Sequence, residues 1–446
     1  MSRYIPLTQR DKEEMLREIG VSSIDDLFSS IPENLRFDGE LQIEAIPEEA
    51  ELIEYFKKLD SLNRYRDKKI FLGAGAYNHY VPYAVDYLSM RSEFLTPYTP
   101  YQPEVSQGTL AATFEYQTYI SALTGLEVAN ASMYEGATAT AEAALMALRI
   151  KKGKIAIAKS LHPQYREVID TYLQKQGIEI VDIGYAADGR VNPVEVESKI
   201  DDDTSAFIVG YPNFFGVVED LKTIYEKIKE KRVLLITSTW EILSLALLIP
   251  PGEAGAEIAV GEAQSFGLPL AYGGPYLGFF ATTRKHVWKM PGRLVGMTKD
   301  VDGKTGFVLT LSAREQHIRR QRATSNICSN EAWCAIRVAI YLSLLGRKGL
   351  RKLAILNHKR AVKAASLLEK AGFKLKFSSP FFNEFVVDVG RDSRKFRDSL
   401  IEKGFVAGYP LADDYPELKT GLLLTFTEMN SMEDIERLVK EMEELR

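Results

Sequence analysis

From residue 108 onward the apolar positions alternate between short solid runs and stretches with a helical period. Residues 127–133, 155–158, 178–183, 206–210, 233–237, 257–260 and 276–281 are short, β-rich runs bounded by turn residues, and they read as strands. Between several of them lie helical patterns at 137–150, 163–176, 193–200 and 221–231, and Asn192 followed by Pro193 marks a helix start. A longer helix follows Gly108, with Tyr116, Tyr119, Ile120 and Leu123 on one face and Gly125 at its end. Strands and helices alternating at this spacing predict an α/β fold with a largely parallel, seven-stranded sheet covered on both faces. Ligands of such sheets bind at the carboxyl ends of the strands.

The flanks follow other rules. Residues 7–60 read as a helical arm. Ser23 caps a helix that puts Ile24, Leu27, Phe28 and Ile31 on one face, and Pro32 stops it. A second helix is expected from Pro47, with the stripe Leu52, Ile53, Phe56 and Leu59, acids in its first turn and Lys57 and Lys58 in its last. Such an arm buries little by itself and needs the rest of the chain or another subunit. Around 284–310, Gly292, Gly296 and Gly303 interrupt regular structure. Beyond lie helices at 331–345 and 350–372. A smaller α+β pattern follows, with strands at 382–389, 405–408 and 421–427 and helices at 394–403 and 431–444. The division expected is an arm (1–65), a large α/β domain (66–305) and a small C-terminal α+β domain (306–446).

Composition narrows the function classes. The 446 residues are 46% hydrophobic and 26% charged, with a formal net charge of -5, ordinary for a globular chain and contrary to a nucleic-acid or membrane-surface partner. Two cysteines, Cys328 and Cys334, make no zinc pattern and no disulfide framework, which fits a reducing cytoplasm. The five histidines form no metal constellation, and no Gly-x-Ser-x-Gly elbow is present.

Four stretches carry candidate chemistry. In Thr96-Pro97-Tyr98-Thr99-Pro100-Tyr101-Gln102-Pro103-Glu104-Val105-Ser106-Gln107-Gly108, three prolines exclude helix interior and central strand and leave a stiff segment presenting Tyr98, Tyr101 and Glu104. A surface connector would look similar, but connectors are rarely so aromatic, so a site-forming loop is the preferred reading. The upstream run Gly73-Ala74-Gly75-Ala76-Tyr77-Asn78-His79-Tyr80 lacks the third glycine of a dinucleotide fingerprint. Tyr134-Glu135-Gly136-Ala137-Thr138-Ala139 opens a helix at a strand end. Its free N–H groups suit an anion, and its small side chains equally suit tight helix–sheet packing. The glycine-rich loop at 261–275 follows a strand where a Schiff-base lysine would stand, yet no lysine occurs between Lys231 and Lys285. Finally, Ala323-Thr324-Ser325-Asn326-Ile327-Cys328 is a polar turn suited to a phosphate, to a partner loop, or to a helix cap by Ser325 or Asn326. The nearby Arg319, Arg320 and Arg322 read as a solvated face.

Together, the 98–108 motif, Tyr134-Glu135-Gly136-Ala137-Thr138-Ala139, Gly261-Glu262-Ala263-Gln264 and Ala323-Thr324-Ser325-Asn326-Ile327-Cys328 resemble glycine dehydrogenase (decarboxylating), the P-protein family of the glycine cleavage system. The resemblance runs over essentially the whole chain and is to the alpha, N-terminal-half subunit of the two-chain form. It implies the fold-type-I architecture of pyridoxal-phosphate enzymes and an α2β2 assembly with a beta subunit that alone holds the cofactor covalently. It implies decarboxylation of glycine and transfer of the aminomethyl group to the lipoyl group of the H-protein, active only with the partner. On this resemblance Gln264 occupies the place of the partner's lysine, and Ser238 or Glu241 is nearest to the place of the aspartate that pairs with the pyridine nitrogen. Tyr98, Thr99, Tyr101, Glu104 and Gln107 are expected to reach the partner's site, with Tyr77, Asn78 and His79 as a secondary group. The absence of Arg and Lys from 96–108 would favour loss of the carboxylate. Two readings compete: an inert scaffold that only stabilises the partner, and an independent enzyme binding a phosphate ester at 136–140.

Overall fold

In the computed structural model the described residues are 6–446, apart from Asp38, Pro47 and Arg66. Contacts divide the chain into Met1–Arg64 and Tyr65–Arg446.

In the first unit, Thr8 and Asp11 form a reciprocal capping box that starts the helix Gln9–Ile19, an element missed above because its apolar positions are few. Ser23 starts only the 3-10 turn Asp25–Phe28 rather than a full helix. The Asp26 carboxylate in turn accepts from the Ser22 and Ser23 amides at the start of the turn. The second helix is Glu49–Ser61; the start expected at Pro47 lies outside the described residues. None of the helices in this unit buries a residue, and Ile24, Leu27, Phe28, Leu52, Ile53 and Phe56 are all exposed.

The second unit is built on seven strands, β1 (Val128–Ala129), β2 (Lys154–Ala158), β3 (Ile180–Ile183), β4 (Thr204–Gly210), β5 (Leu234–Thr239), β6 (Ile258–Glu262) and β7 (Gly278–Thr282). Their order is β1-β7-β6-β5-β4-β2-β3, parallel from β6 to β3, with β7 antiparallel to both of its neighbours. All seven expected strands are present. Both faces are buried, and alternate residues of one strand serve different cores: Phe207 and Val209 pack on one side, Ala206 and Ile208 on the other. Helices Gly136–Ile150, Pro163–Gln174, Pro193–Lys199 and Leu221–Ile228 fill the crossovers.

The glycine-interrupted stretch is a hairpin rather than irregular chain. Strands β8 (Leu294–Lys299) and β9 (Thr305–Thr310) pair antiparallel across a turn in which Asp300 accepts from the amides of Asp302 and Lys304, with Gly303 left-handed. Next comes Ala332–Lys370, broken at Gly346, which lies at φ 58° and separates the two helices expected from sequence. The C-terminal part carries an antiparallel sheet ordered Lys374–Leu375, Glu384–Asp388, Gly421–Thr425, Tyr409–Pro410. A further pairing, Lys69–Phe71 parallel with Phe405–Ala407, was not expected from sequence. It carries the following glycine–tyrosine run past Glu384, Thr425 and Glu428 to the carboxyl ends of β5 and β6.

Candidate functional site: a filled strand-end pocket and an open aromatic cleft

The loop after β6 brings Gln264 to the end of the sheet. Its side chain accepts from the Tyr77 amide (2.9 Å) and donates to the carbonyls of Tyr77 (3.0 Å) and Leu268 (2.8 Å). Tyr77 is fully buried and donates its hydroxyl to Glu384 Oε2 (2.9 Å). Glu384 also accepts from the Ala74 amide and the Thr425 hydroxyl. Glycine is required at 73, because a Cβ there would collide with Tyr77 and Glu384. His79 sits between two carboxylates, with Nε2 2.9 Å from Glu241 Oε2 and Nδ1 2.9 Å from Glu428 Oε2. The Asn78 carbonyl accepts from Thr427. On the other side His162 stacks on Tyr165, 4.7 Å between centroids, with Trp240 edge-on at 5.5 Å.

Burial alone would hold His79 neutral, but the Glu241 and Glu428 carboxylates outweigh it and lift its pKa to about 10. Burial raises Glu428, and His79 more than reverses that, down to about 2. Glu384, raised chiefly by burial, titrates at about 7. His162 is depressed to about 4 by burial.

The helix start at Gly136 settles the two readings left open by its sequence. Its amides are taken by the chain's own carboxylates: Gly136 N–H donates to Glu262 (3.0 Å), Ala137 N–H to Glu135 (2.6 Å) and Thr138 N–H to Glu135 (2.9 Å). A Cβ on Gly136 would run into the Tyr165 hydroxyl, so close packing explains the small residue. The amides an anion would use are thus already taken, by Glu135 and by Glu262, whose pKa burial raises to about 7. Between Tyr77, Trp240, Glu241 and Glu384 remains a void of about 10 Å³, barely one water. These residues do not fit pyridoxal phosphate: the amine is replaced by an engaged amide, the phosphate cradle is acidic, and aromatic rings fill the volume.

The proline-rich segment lies elsewhere. Thr96–Gln102 has no regular structure, Pro103–Val105 forms a single 3-10 turn, and Gln107 starts the long helix Gln107–Thr124. Tyr98 is 74% and Tyr101 45% exposed, and Glu104 is exposed. Gln107, exposed, donates to the carbonyls of Pro103 and Phe307 and accepts from the Phe307 amide, so it braces the segment on β9. Thr99 Oγ1 lies 2.6 Å from Ser329 Oγ. Tyr101 Oη accepts from Arg293 Nη2 at 2.7 Å. A cavity of about 270 Å³ opens beside Tyr98 and Thr99, lined also by Arg293, Asn330 and Trp333.

Thus the structure separates the candidate residues. Tyr98, Thr99, Tyr101 and Glu104 share one exposed segment, whereas Tyr77, Asn78 and His79 serve the interior around Gln264. Ser238 pairs with Thr140, and Glu241 holds His79. In the 323–328 turn Ser325 donates to Glu142 and starts no helix; the helix begins at Ala332. Arg319, Arg320 and Arg322 are solvated, as expected. Arg293, Glu384 and Glu428 have no local sequence signal, because each meets its partner across more than 190 positions.

The family model for "Glycine cleavage system P-protein" matches residues 2–442. A probable glycine dehydrogenase (decarboxylating) subunit 1 of Geobacillus kaustophilus is 48% identical over 445 residues, and one of Bacillus cytotoxicus is 48% identical over 444, with 99% of both chains covered in each case. A crystal structure of glycine decarboxylase (P-protein) of the glycine cleavage system, in inhibitor-bound form, matches with TM-score 0.90 and 41% identity over 100% of both chains. A NifS-like protein shares the fold at 13% identity, with TM-score 0.64, covering 85% of this chain and 99% of its own.

Proposed function

The chain belongs to the glycine cleavage system P-protein family, and from that membership we propose that it is the subunit that completes a glycine-decarboxylating site on a second chain. The carrying observation is the filled, lysine-free pocket around Gln264 in the same unit as an ordered aromatic segment left open to the outside. In this reading the beta subunit holds the pyridoxal phosphate, the two chains form an α2β2 assembly in the cytoplasm, glycine is the substrate, and a lipoylated H-protein takes the aminomethyl group.

The work of this chain is orientation and exclusion of water. Proline-fixed backbone at 97, 100 and 103 leaves Tyr98, Thr99, Tyr101 and Glu104 little conformational freedom to lose when a substrate arrives. The expectation that no cation stands near the segment needs correction, since the fold brings Arg293 to Tyr101 from outside it. Its Nε lies 3.2 Å from Glu315 Oε2, so the charge is already balanced. A carboxylate approaching the segment meets the hydroxyls of Tyr98, Thr99 and Tyr101, with the Arg293 charge shared with Glu315, which favours its departure as CO2. An inert scaffold would account for the filled pocket but not for stiff aromatic groups held outward.

Glu104→Gln and Tyr101→Phe in the co-expressed two-chain enzyme test the proposal. Exchange of the glycine carboxyl carbon with bicarbonate should fall by roughly tenfold or more in each. Undiminished exchange in both would remove the segment from the reaction.

A further inference from the structure

Two buried arginines, Arg293 and Arg314, lie close together and are used differently. Arg314 spends its guanidinium on backbone carbonyls: Nε donates to Leu311, Nη1 to Met290 and Nη2 to Gly292. That is a structural use. Arg293 instead reaches side chains of two stretches singled out in the sequence. Nη2 donates to the Tyr101 hydroxyl at 2.7 Å and lies 3.8 Å from Cys328 Sγ. The guanidinium carbon stands 5.3 Å from the Tyr101 ring centroid. From behind, Glu315 approaches Nε at 3.2 Å, both side chains being more than nine-tenths buried. The backbone is held as firmly. Gly292 is left-handed, at φ +76°, where a Cβ would strike Asn130, and the Arg293 carbonyl accepts from the Ala131 amide at 2.8 Å. The His317 ring packs edge-on against Tyr101 at 5.6 Å, and its Nδ1 lies 3.5 Å from the same Glu315 oxygen.

We propose, building on the function assigned above, that Arg293 is the positioning residue for Tyr101: anchored on Glu315, it occupies the acceptor side of the tyrosine hydroxyl and so directs its proton outward, as a fixed hydrogen-bond donor to the substrate in the second chain's site. A tyrosine hydroxyl has one proton and accepts on the same oxygen. With a charge-assisted bond from the guanidinium on that oxygen, the O–H turns away from Arg293. Ring and hydroxyl are then fixed together, since the same guanidinium contacts both. A donor set in advance loses no reorganisation when the reacting group arrives. The backbone bond from Ala131 fixes the arginine, and the Glu315 carboxylate behind it keeps the positive charge from holding the carboxylate in place.

The test is a double-mutant cycle in the co-expressed two-chain enzyme with Arg293→Lys, Tyr101→Phe and the pair, reading kcat and KM for glycine in bicarbonate exchange. Each single change should lower kcat about tenfold with KM within about twofold, and the double variant should be no slower than the slower single. Losses that multiply, or an Arg293→Lys enzyme with normal kcat, would overturn the inference. Should Arg293→Lys fail to assemble, Arg293→Gln combined with Glu315→Gln removes the pair without stranding a charge, and Tyr101→Phe added to it should again cost nothing further; an additional loss counts against the proposal. Glu104→Gln separates the two levels. If it and Tyr101→Phe lower exchange while Arg293→Lys does not, only the role of Arg293 fails; if neither lowers exchange, the function assigned to the segment fails with it.

Discussion

Around Gln264 the chain pairs the polar side chains of Gln264, Tyr77, His79 and Glu384 with one another and with its backbone, and in the 96–108 segment it leaves Tyr98 and Glu104 turned outward. The Gln264 amide binds Tyr77 and Leu268, the Tyr77 hydroxyl binds Glu384, and His79 lies between two acids. Such a network is stable because its members complete one another, and for the same reason it offers a ligand nothing. In the 96–108 segment order comes from proline and from bracing behind the functional groups: Gln107 on Phe307, Thr99 on Ser329, Arg293 on Tyr101. Tyr98 and Glu104 are exposed and take little part in holding the fold, while Thr99 and Tyr101 are tethered at one atom each. A polar site built for stability and one built for use thus differ in which groups remain unanswered.

The sharpest way to break this contrast is His79→Ala. It strands Glu241 and Glu428 as buried carboxylates without their cation, and removing one partner of a buried ionic group costs about 3–5 kcal/mol. Urea unfolding should register a loss of that size; a change below about 1 kcal/mol would mean that the network is not what holds the pocket. Gln264→Lys comes next. An amine at this position should not create cofactor chemistry, because Glu135 and Glu262 still occupy the helix start and Tyr77 and Trp240 still fill the space. It also unpairs the buried Tyr77 amide, for a loss of about 1–3 kcal/mol. Pyridoxal phosphate added to this variant alone should produce no visible absorbance of a covalent adduct.

A titration sharpens the same point. His79 has its pKa raised from 6.5 to about 10, so its contribution is complete below pH 6.5 and is lost as pH rises through 10. Glu384, raised from 4.5 to about 7, contributes fully below 4.5 and loses that as pH passes 7. Glu428, lowered from 4.5 to about 2, works in the opposite sense: its share is present above 4.5 and is lost as pH falls through 2. The urea midpoint should therefore decline between pH 6.5 and pH 10. His79→Gln combined with Glu428→Gln should flatten that decline, and an unchanged slope would locate the pH dependence elsewhere.

How much of this was legible follows from how far each interaction reaches along the chain. The seven strands were readable because solid apolar runs broken by turns are local signals, and the proline-rich segment because proline acts on its own residue and its neighbour. The hairpin of β8 and β9 was hidden, since its glycines look like breaks when the pairing they permit is unknown. The fate of Tyr77 and His79 was hidden more deeply. Their partners Glu384 and Glu428 come from the C-terminal sheet region, more than 300 positions away, brought there by a three-residue strand too short to announce itself. Arg293 escaped for the same reason, 192 positions from Tyr101.

The smallest expected change in stability is the one that best isolates the cleft. Tyr98 is 74% exposed on a backbone that proline already fixes, so Tyr98→Ala removes little buried surface and leaves folding entropy nearly as it was. Unfolding of the isolated chain should shift by no more than about 0.5 kcal/mol. In the two-chain enzyme the same variant should slow bicarbonate exchange, because a large aromatic face has been taken from the mouth of the cavity it lines. A loss of stability comparable to that of His79→Ala would make Tyr98 part of the fold's own support, and the distinction between the two regions would then collapse.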